Sequence, residues 1–342
     1  MPVSFLQSPD VWRALGVACD RVQTVETRRS WVFIAGDRVL KLKKPVRERL
    51  LDFSTPARRA QACREELRVN RRLAPGVYLG LVALRRTPMG WRLDPEGRDG
   101  ADDWAVLMRR LPAPRMLDHL IATGAAGPAQ AQALAQRLAA FWRAAPRAPA
   151  QAASRVERLE TELQLSIDLL GQPRWALPDA GTALQRCACA LHAGAPWVAR
   201  RVAEARIVEG HGDLRPEHVC LPESPAPPGA WPAQPLVIDA LEFDPALRAV
   251  DPFDELAYLA LECRRLGASG FGLRVLARCA RLLDDPPPHA LLRVYTGHRA
   301  LLRARLAVSH LLEPAVREPG RWRPLAAWYL RCAEAALRPL AP

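Results

Sequence analysis

The stretch His211-Gly212-Asp213-Leu214-Arg215-Pro216-Glu217-His218, followed after a proline-rich interval by Val237-Ile238-Asp239, decides how this chain is read. It sets one carboxylate in a loop, a cation two residues later, and a second carboxylate at the end of the next apolar, β-prone run. Phosphoryl transfer needs those parts: a carboxylate to take the acceptor hydroxyl's proton, a cation on the moving phosphoryl group, and an oxygen ligand for Mg2+ bridging the phosphates. Either piece alone reads as a polar turn with N-capping acids. The two together, in this order, favour the chemistry.

On either side of that stretch the texture of the chain changes. Upstream, residues 116–123, 128–144, 152–170 and 181–192 show helical spacing of Leu and Ala, joined by Pro/Ala-rich connectors at 145–151 and 171–180. Strand character returns briefly at 206–208, 219–221 and 236–238, and the Pro-rich piece 222–235 between the last two reads as an exposed loop. From Asp251 onward the chain is helical again, including an Arg-rich helix at 295–312. The first hundred residues differ. Ser8-Pro9-Asp10 opens a helix continued by Val11, Leu15 and Ala18. Residues 31–34 and 39–42 flank the turn Ala35-Gly36-Asp37-Arg38 and read as a hairpin. Thr55-Pro56 starts a helix carrying Glu65, Glu66 and Leu67 and ending near Leu73, and short strands follow at 78–84, 91–93 and 103–108. The pattern is α+β, with a β-rich part over 1–108 and a larger, mostly helical part over 109–342.

Composition narrows the function classes. The 342 residues are 49% apolar and 25% charged, as in a globular protein with a real core. The formal charge of +13 is spread along the chain as scattered arginines, with no basic block interleaved with aromatics, which argues against nucleic acid as the main partner. Of 49 Lys plus Arg, only Lys41, Lys43 and Lys44 are lysines. A drift to Arg this complete directs attention to the one segment that escaped it, because a flexible point charge and a planar fork are not interchangeable at a site. No apolar stretch approaches the roughly 20 residues of a membrane helix, and MPVSFLQSPD lacks the pattern of an export signal, so a cytoplasmic protein is expected. The eight cysteines form no C-x-x-C pair and read as free thiols. His119, His192, His289, His298 and His310 fall on helices or their ends and read as structural.

Residues 211–218 resemble the catalytic loop of the protein-kinase-like superfamily, in both the H-G-D form of aminoglycoside phosphotransferases and the D-L-K-P-E-N form of protein kinases. Ser30-Trp31-Val32-Phe33, Gly36-Asp37, Lys41-Leu42-Lys43-Lys44-Pro45-Val46, Leu51-Asp52-Phe53-Ser54-Thr55 and Glu65-Glu66-Leu67-Arg68 are similar to the kinase-like half of bifunctional aminoglycoside phosphotransferase/ATP-binding proteins. The likeness runs over about residues 20–265. Bifunctional members also carry a P-loop ATPase half, and no G-x-x-x-x-G-K-[ST] sequence occurs here. The resemblance implies a bilobal protein-kinase-like fold: a β-rich N-lobe with one helix, and a larger helical C-lobe holding hinge, acceptor region, catalytic loop and metal-binding hairpin. It implies Asp213 as catalytic base or hydroxyl-orienting residue, Arg215 as the cation on the transferred phosphate, and Asp239 as a metal ligand. Lys41 would hold the α/β-phosphates and pair with Glu66, with Lys43 and Glu65 as competing choices. Met108, Arg109 and Leu111 would form the hinge, the peptide groups of Arg109 and Leu111 bonding adenine.

Two departures bear on activity. His218 stands where the family has the Asn that helps hold Mg2+, and imidazole suits softer metals, which favours Mn2+ or weakens one metal position. The first hairpin lacks G-x-G-x-x-G, leaving Arg28, Arg29 and Ser30 as phosphate contacts. Lys43 and Lys44 read otherwise as a solvated edge, Asp251 and Asp254 as structural acids, Asp251 in the region that braces the catalytic loop in related enzymes, and Glu242 as facing either metal or acceptor. The expected function is ATP-dependent transfer of the γ-phosphate to a hydroxyl of a small molecule; a nucleotide-binding regulatory protein with little transferase activity is the alternative. Arg299, Arg303 and Arg305 in the helical part argue against a cationic acceptor, so a neutral or anionic hydroxyl compound fits at least as well as an aminoglycoside.

Overall fold

Strand period decides which face of the sheet becomes chemical. In the computed structural model, which describes all residues except 1, 49, 95–99, 149–151, 224–230, 314 and 339–342, β3 (Arg38–Lys43) sends Leu40 and Leu42 to one face and Val39, Lys41 and Lys43 to the other. The first face packs on the short helices α1 (Val3–Leu6) and α2 (Pro9–Arg13), with Leu6, Trp12 and Phe33 at its centre. The helix expected to run on to Ala18 stops at Arg13, where Leu15 and Gly16 close a turn onto Trp12 and Arg13.

The sheet has six strands in the order β1-β2-β3-β8-β6-β7: β1 (Gln23–Glu26), β2 (Ser30–Ala35), β3, β6 (Tyr78–Thr87), β7 (Gly90–Asp94) and β8 (Asp103–Arg109), all neighbours antiparallel. The sequence missed β1, whose Gln-Thr-Val-Glu has no apolar alternation and is largely exposed at the sheet edge. A small two-stranded ladder, β4 (Arg47–Glu48) with β5 (Leu51–Asp52), leads into α3 (Pro56–Arg71). That helix starts as expected: Thr55 is the N-cap, its hydroxyl accepting from Arg58 N–H, and Pro56 occupies the first turn. Arg59, Cys63, Glu66 and Asn70 recur every three or four residues on its buried stripe, and Arg59 grips Asp103 of β8 through two hydrogen bonds of 2.8 and 3.0 Å. A charged Glu66 in the middle of a buried stripe needs a partner, and β3 supplies it.

The chain divides into two compact units, one of residues 1–123, 211–213 and 217–248, the other of 124–210, 214–216 and 249–342. The single cut after Met108 read from the sequence differs from this division. The first unit runs on through α4 (Leu117–Ala122) and takes back two later pieces, because Met116 bridges Cys220 and Val237 N–H donates to Leu73 O. In the second unit, α5 (Pro128–Ala144), α6 (Ala152–Leu170), α7 (Ala180–Ala203) and β9 (Val208–Glu209) come first. The chain then forms β10 (Val219–Cys220), β11 (Leu236–Val237) and α8 (Pro245–Arg248) in the first unit. It ends in the second with β12 (Ala249–Val250), antiparallel to β9, and helices α9 (Pro252–Arg265), α10 (Ser269–Leu283), α11 (His289–Ser309) and α12 (Pro319–Leu337). There α11 packs on α12, α9, α6 and α7, and α10 on α5 and α9. The α9–α10 approach depends on Gly272, where a Cβ would lie 2.7 Å from the Ala260 Cα.

Of the loop 222–235 expected to be exposed, residues 224–230 lie outside the described residues, while Pro232 and Pro235 are buried and Trp231 is half-buried beneath the Arg109 guanidinium, 3.9 Å from the ring centre. The cysteines are all free thiols. Among the described residues no helix is long and apolar enough to cross a membrane.

Candidate active site

Lys41, Lys43, Glu66, His211, Asp213, His218 and Asp239 all lie in the first unit. Lys41 and Lys43, two apart on β3, both reach Glu66: Lys41 Nζ lies 2.8 Å from Oε1 and Lys43 Nζ 2.7 Å from Oε2. Glu66 is completely buried, and its charge is divided between two cations. Glu65, the competing choice, turns away to Arg68 and Arg248. The solvated edge expected for Lys43 is therefore wrong. Its side chain is fully buried, 4.8 Å from the centre of the Phe53 ring, because the β3 face that carries it is covered by α3. Lys44, one residue on, points to the other side and pairs with Glu26.

Lys41 also holds Asp239, Nζ to Oδ1 at 2.5 Å, so it stands between the α3 glutamate and the second carboxylate of the motif. Desolvation opposes charge on Lys41, but the carboxylates of Asp239, Glu66 and Glu242 outweigh it and raise its pKa well above the ordinary value. For Asp239, desolvation works against ionisation and Lys41, then His218, more than reverse it, so the carboxyl stays ionised far below the usual range. Unlike Glu66, Asp239 keeps 45% of its side chain exposed, so charge remains available to a ligand.

Two histidines clamp the peptide groups of Asp213. His211 Nε2 donates to Ile238 O at 2.8 Å, which leaves Nδ1 to accept from Asp213 N–H at 3.2 Å; burial, with His218 nearby, lowers its pKa to about 4, so it is a neutral strut. His218 Nδ1 lies 2.9 Å from Asp213 O, and Nε2 on the opposite side of the ring lies 3.7 Å from Asp239 Oδ2. Asp213 Oδ2 is 3.7 Å from the same Nδ1. Gly212 makes this turn possible. Its φ is +89°, and a Cβ would stand 3.0 Å from both Leu241 Cδ1 and Leu247 O.

Neighbours that the sequence did not reveal pin the segment carrying Asp239. Ile238 N–H donates to His218 O, Asp239 N–H to the Tyr78 hydroxyl at 3.0 Å, Ala240 N–H to Asn70 Oδ1 at 2.8 Å, and Leu241 N–H to His211 O. Asp239 has φ +64°, a conformation that a non-glycine residue keeps only when its surroundings impose it. Asn70 follows Glu66 by one helical turn on the buried stripe of α3, the one sequence signal that could have found it.

Other expectations fare differently. Glu242, read as facing either metal or acceptor, forms an ion pair with Lys43 and keeps only 10% of its side chain exposed. Arg28 and Arg29, 45% and 38% exposed, both pair with Glu48, and Ser30 is buried. Met108 ends the buried part of β8, Arg109 N–H is taken by Val77 O at 2.8 Å, and Leu111 packs beside Met108 in one apolar cluster with Tyr78, Trp231 and Ile238. Arg215 belongs to the second unit. Asp251 is the N-cap of α9 and pairs with Arg201 and Tyr295, and Asp254 pairs with Arg299 and Arg155.

The donors fit a divalent metal of the kind that completes its shell with nucleotide phosphates. Asp239 offers an ionised, half-exposed carboxylate, and His218 offers Nε2 beside it. Among the described residues no group of three or more His, Cys, Asp or Glu could hold a metal alone. The imidazole makes the donor set softer than two oxygens.

No family model matches the chain. It is 30% identical over 290 residues to uncharacterised proteins of Mycobacterium bovis and Mycobacterium tuberculosis, an alignment covering 82% of the chain; the chain spans about half (53%) of the length of these relatives. Among solved structures it is similar to a choline/ethanolamine kinase family protein of Mesorhizobium loti, with a TM-score of 0.52 at 15% identity over 92% of this chain and 87% of that one. An aminoglycoside 2'-phosphotransferase in its GDP complex superposes with a TM-score of 0.53 at 14% identity over 96% of each chain. An ethanolamine kinase of Plasmodium vivax gives 0.54 at 8% identity over 94% and 84%. The chain thus has the protein-kinase-like fold, in the form shared by aminoglycoside phosphotransferases and choline/ethanolamine kinases.

Proposed function

We propose that this protein is an ATP-dependent phosphotransferase that moves the γ-phosphate to a hydroxyl of a small molecule. The observation that carries the reading is Lys41 standing between buried Glu66 and half-exposed Asp239, with His218 linking Asp239 to Asp213. A fold shared with small-molecule kinases supports it. Lys41, kept protonated by its carboxylates, would bind the α/β-phosphates, and Glu66 would aim it. Asp213, its main chain clamped by His211 and His218, would accept the acceptor's proton and hold the hydroxyl in line. By the resemblance of its loop, Arg215 would be the cation for the transferred phosphate. The adenine would lie against Met108 and Leu111; because Arg109 N–H already serves Val77 O, Arg109 would meet the base through its carbonyl, and Leu111 through its N–H. Mg2+ or Mn2+, held by Asp239 and His218, would neutralise phosphate charge, and the chain's own contribution is positioning and electrostatics.

The test is transfer of label from γ-labelled ATP to a panel of small hydroxyl compounds, with Mg2+ and with Mn2+, using wild type and Asp213→Ala. Label appearing in a small-molecule product with wild type and falling by about two orders of magnitude or more in the variant is expected. Unchanged transfer by Asp213→Ala would defeat the assignment. His218, in place of an amide ligand, motivates a second reading, a nucleotide-binding regulatory protein. It predicts ATP-dependent thermal stabilisation without turnover, and gain of transfer in His218→Asn.

A further inference from the structure

We propose that Lys43 and Glu242 are positioning residues of this site: their buried ion pair ties the loop bearing Asp239 to β3 and keeps Glu66 neutralised when Lys41 turns to phosphate. The inference rests on the reading of the site as a nucleotide and metal site.

The charge balance shows why a second lysine is needed. Two lysines and three carboxylates share one cluster: Lys41, Lys43, Glu66, Asp239 and Glu242. Glu66 is fully buried, and a lone carboxylate there is costly. If Lys41 were its sole partner, drawing Lys41 toward a phosphate would leave Glu66 exposed to that cost. Lys43 bonds the other oxygen at 2.7 Å and is itself fully buried, with no path to a ligand, so its charge stays with Glu66. Burial disfavours its protonated form, but Glu242 and Glu66 more than restore it, raising its pKa.

Geometry assigns the rest. Glu242 is three residues beyond Asp239, and its side chain is only 10% exposed, directed at Lys43. Four backbone N–H groups hold residues 238–241, each on a different partner. The Lys43–Glu242 pair closes that series with an ionic bond to β3, the strand that carries Lys41. The left-handed backbone of Asp239 is therefore bracketed on both sides, and its carboxylate is fixed relative to Lys41 and His218.

The experiment measures binding of a non-hydrolysable ATP analogue by calorimetry in Mg2+ and in chelator. A residue that positions the metal-binding carboxylate changes the ratio of the two affinities, whereas general loosening changes both. For Glu242→Gln the Mg2+-linked tightening is expected to fall about tenfold or more, with chelator affinity within about threefold of wild type, whereas Lys43→Met, which leaves Lys41 as the sole partner of Glu66, is expected to lose the linkage and to weaken binding in chelator as well. Glu242→Asp, which keeps the charge but shortens the reach, should lose part of the linkage and serves if the amide variant does not fold. The double variant Lys43→Met/Glu242→Leu, with an apolar pair in place of the ions, is expected to regain melting temperature over the single variants without regaining the Mg2+ linkage. Linkage within about twofold of wild type in Glu242→Gln, or recovered together with melting temperature in the double variant, overturns the inference and leaves the nucleotide reading intact. Wild type without any Mg2+-linked binding overturns that reading and the inference with it.

Discussion

Each of the two compact units buries a cluster of ionised side chains, and the two are made differently. In the first unit the cations are lysines, Lys41 and Lys43, and the cluster ends in carboxylates that reach solvent, Asp239 at 45% and Asp213 at 22% side-chain exposure. In the second unit they are arginines. Arg201 holds Asp251 and Asp285 with two bonds each, Tyr295 donates to Asp251, Arg299 grips Asp254 with bonds of 2.7 and 2.9 Å, and these aspartates are 0 to 12% exposed. A guanidinium fork saturates a carboxylate in fixed geometry and suits a closed structural network; an ammonium on a flexible stem can exchange partners. A cluster closed on itself braces helices, whereas one left open at a carboxylate can take a ligand.

Substitutions can break that contrast. The largest effect is expected for Lys41→Arg and Lys41→Met, with transfer from ATP falling by about two orders of magnitude or more. Melting temperature should move less than in Arg201→Met, since Lys43 still neutralises Glu66. Arg at 41 with near wild-type turnover would show that a fork serves as well there. Next, Arg201→Met removes the guanidinium that Asp251 and Asp285 share and should cost about 3–5 kcal/mol in urea unfolding. Turnover per folded molecule is expected to persist, and its loss would tie the closed cluster to catalysis.

A smaller effect is a pH dependence. Burial works to raise the Asp254 carboxyl, but Arg299, then Arg155, reverse that and leave its pKa below the ordinary value. Its stabilisation is therefore complete above the unfolded carboxyl's pKa of about 3.9 and is lost as pH falls through the lower folded value. Asp254→Asn should flatten the acid side of the stability curve below about pH 4, and an unaltered acid limb would count against this ion pair. The least effect is expected for Lys44→Arg, whose partner Glu26 is half-exposed: within about 1 kcal/mol and with unchanged transfer. A large loss there would mean that lysine is required at all three positions.

The hairpin at residues 31–42, the Thr55 cap and the strands before Met108 were legible because period and capping are local. The pairing of Glu66 with β3 was expected through the resemblance, and the geometry puts Lys41 between Glu66 and Asp239. Lys43 and Glu242 were not legible. Nothing in the order of residues says that a lysine beside a turn will be sealed under α3, nor that Glu242 will meet it 199 positions away. Asn70 and Tyr78 escaped for the same reason: they serve backbone N–H groups of residues 239–240, and a backbone donor leaves no mark in a sequence.

By itself the sequence determined an α+β chain, a loop carrying Asp213, a later carboxylate at Asp239, and one segment where lysine survived a drift to arginine. Local propensity, strand period and residue chemistry suffice for those. Only the tertiary structure decided which lysine shares its glutamate with Asp239, which is sealed away from solvent, and that His218 turns one ring nitrogen to Asp213 and the other toward Asp239. Burial and charge compensation are properties of side chains brought together from distant positions, so partners and exposure exist only once the chain has folded.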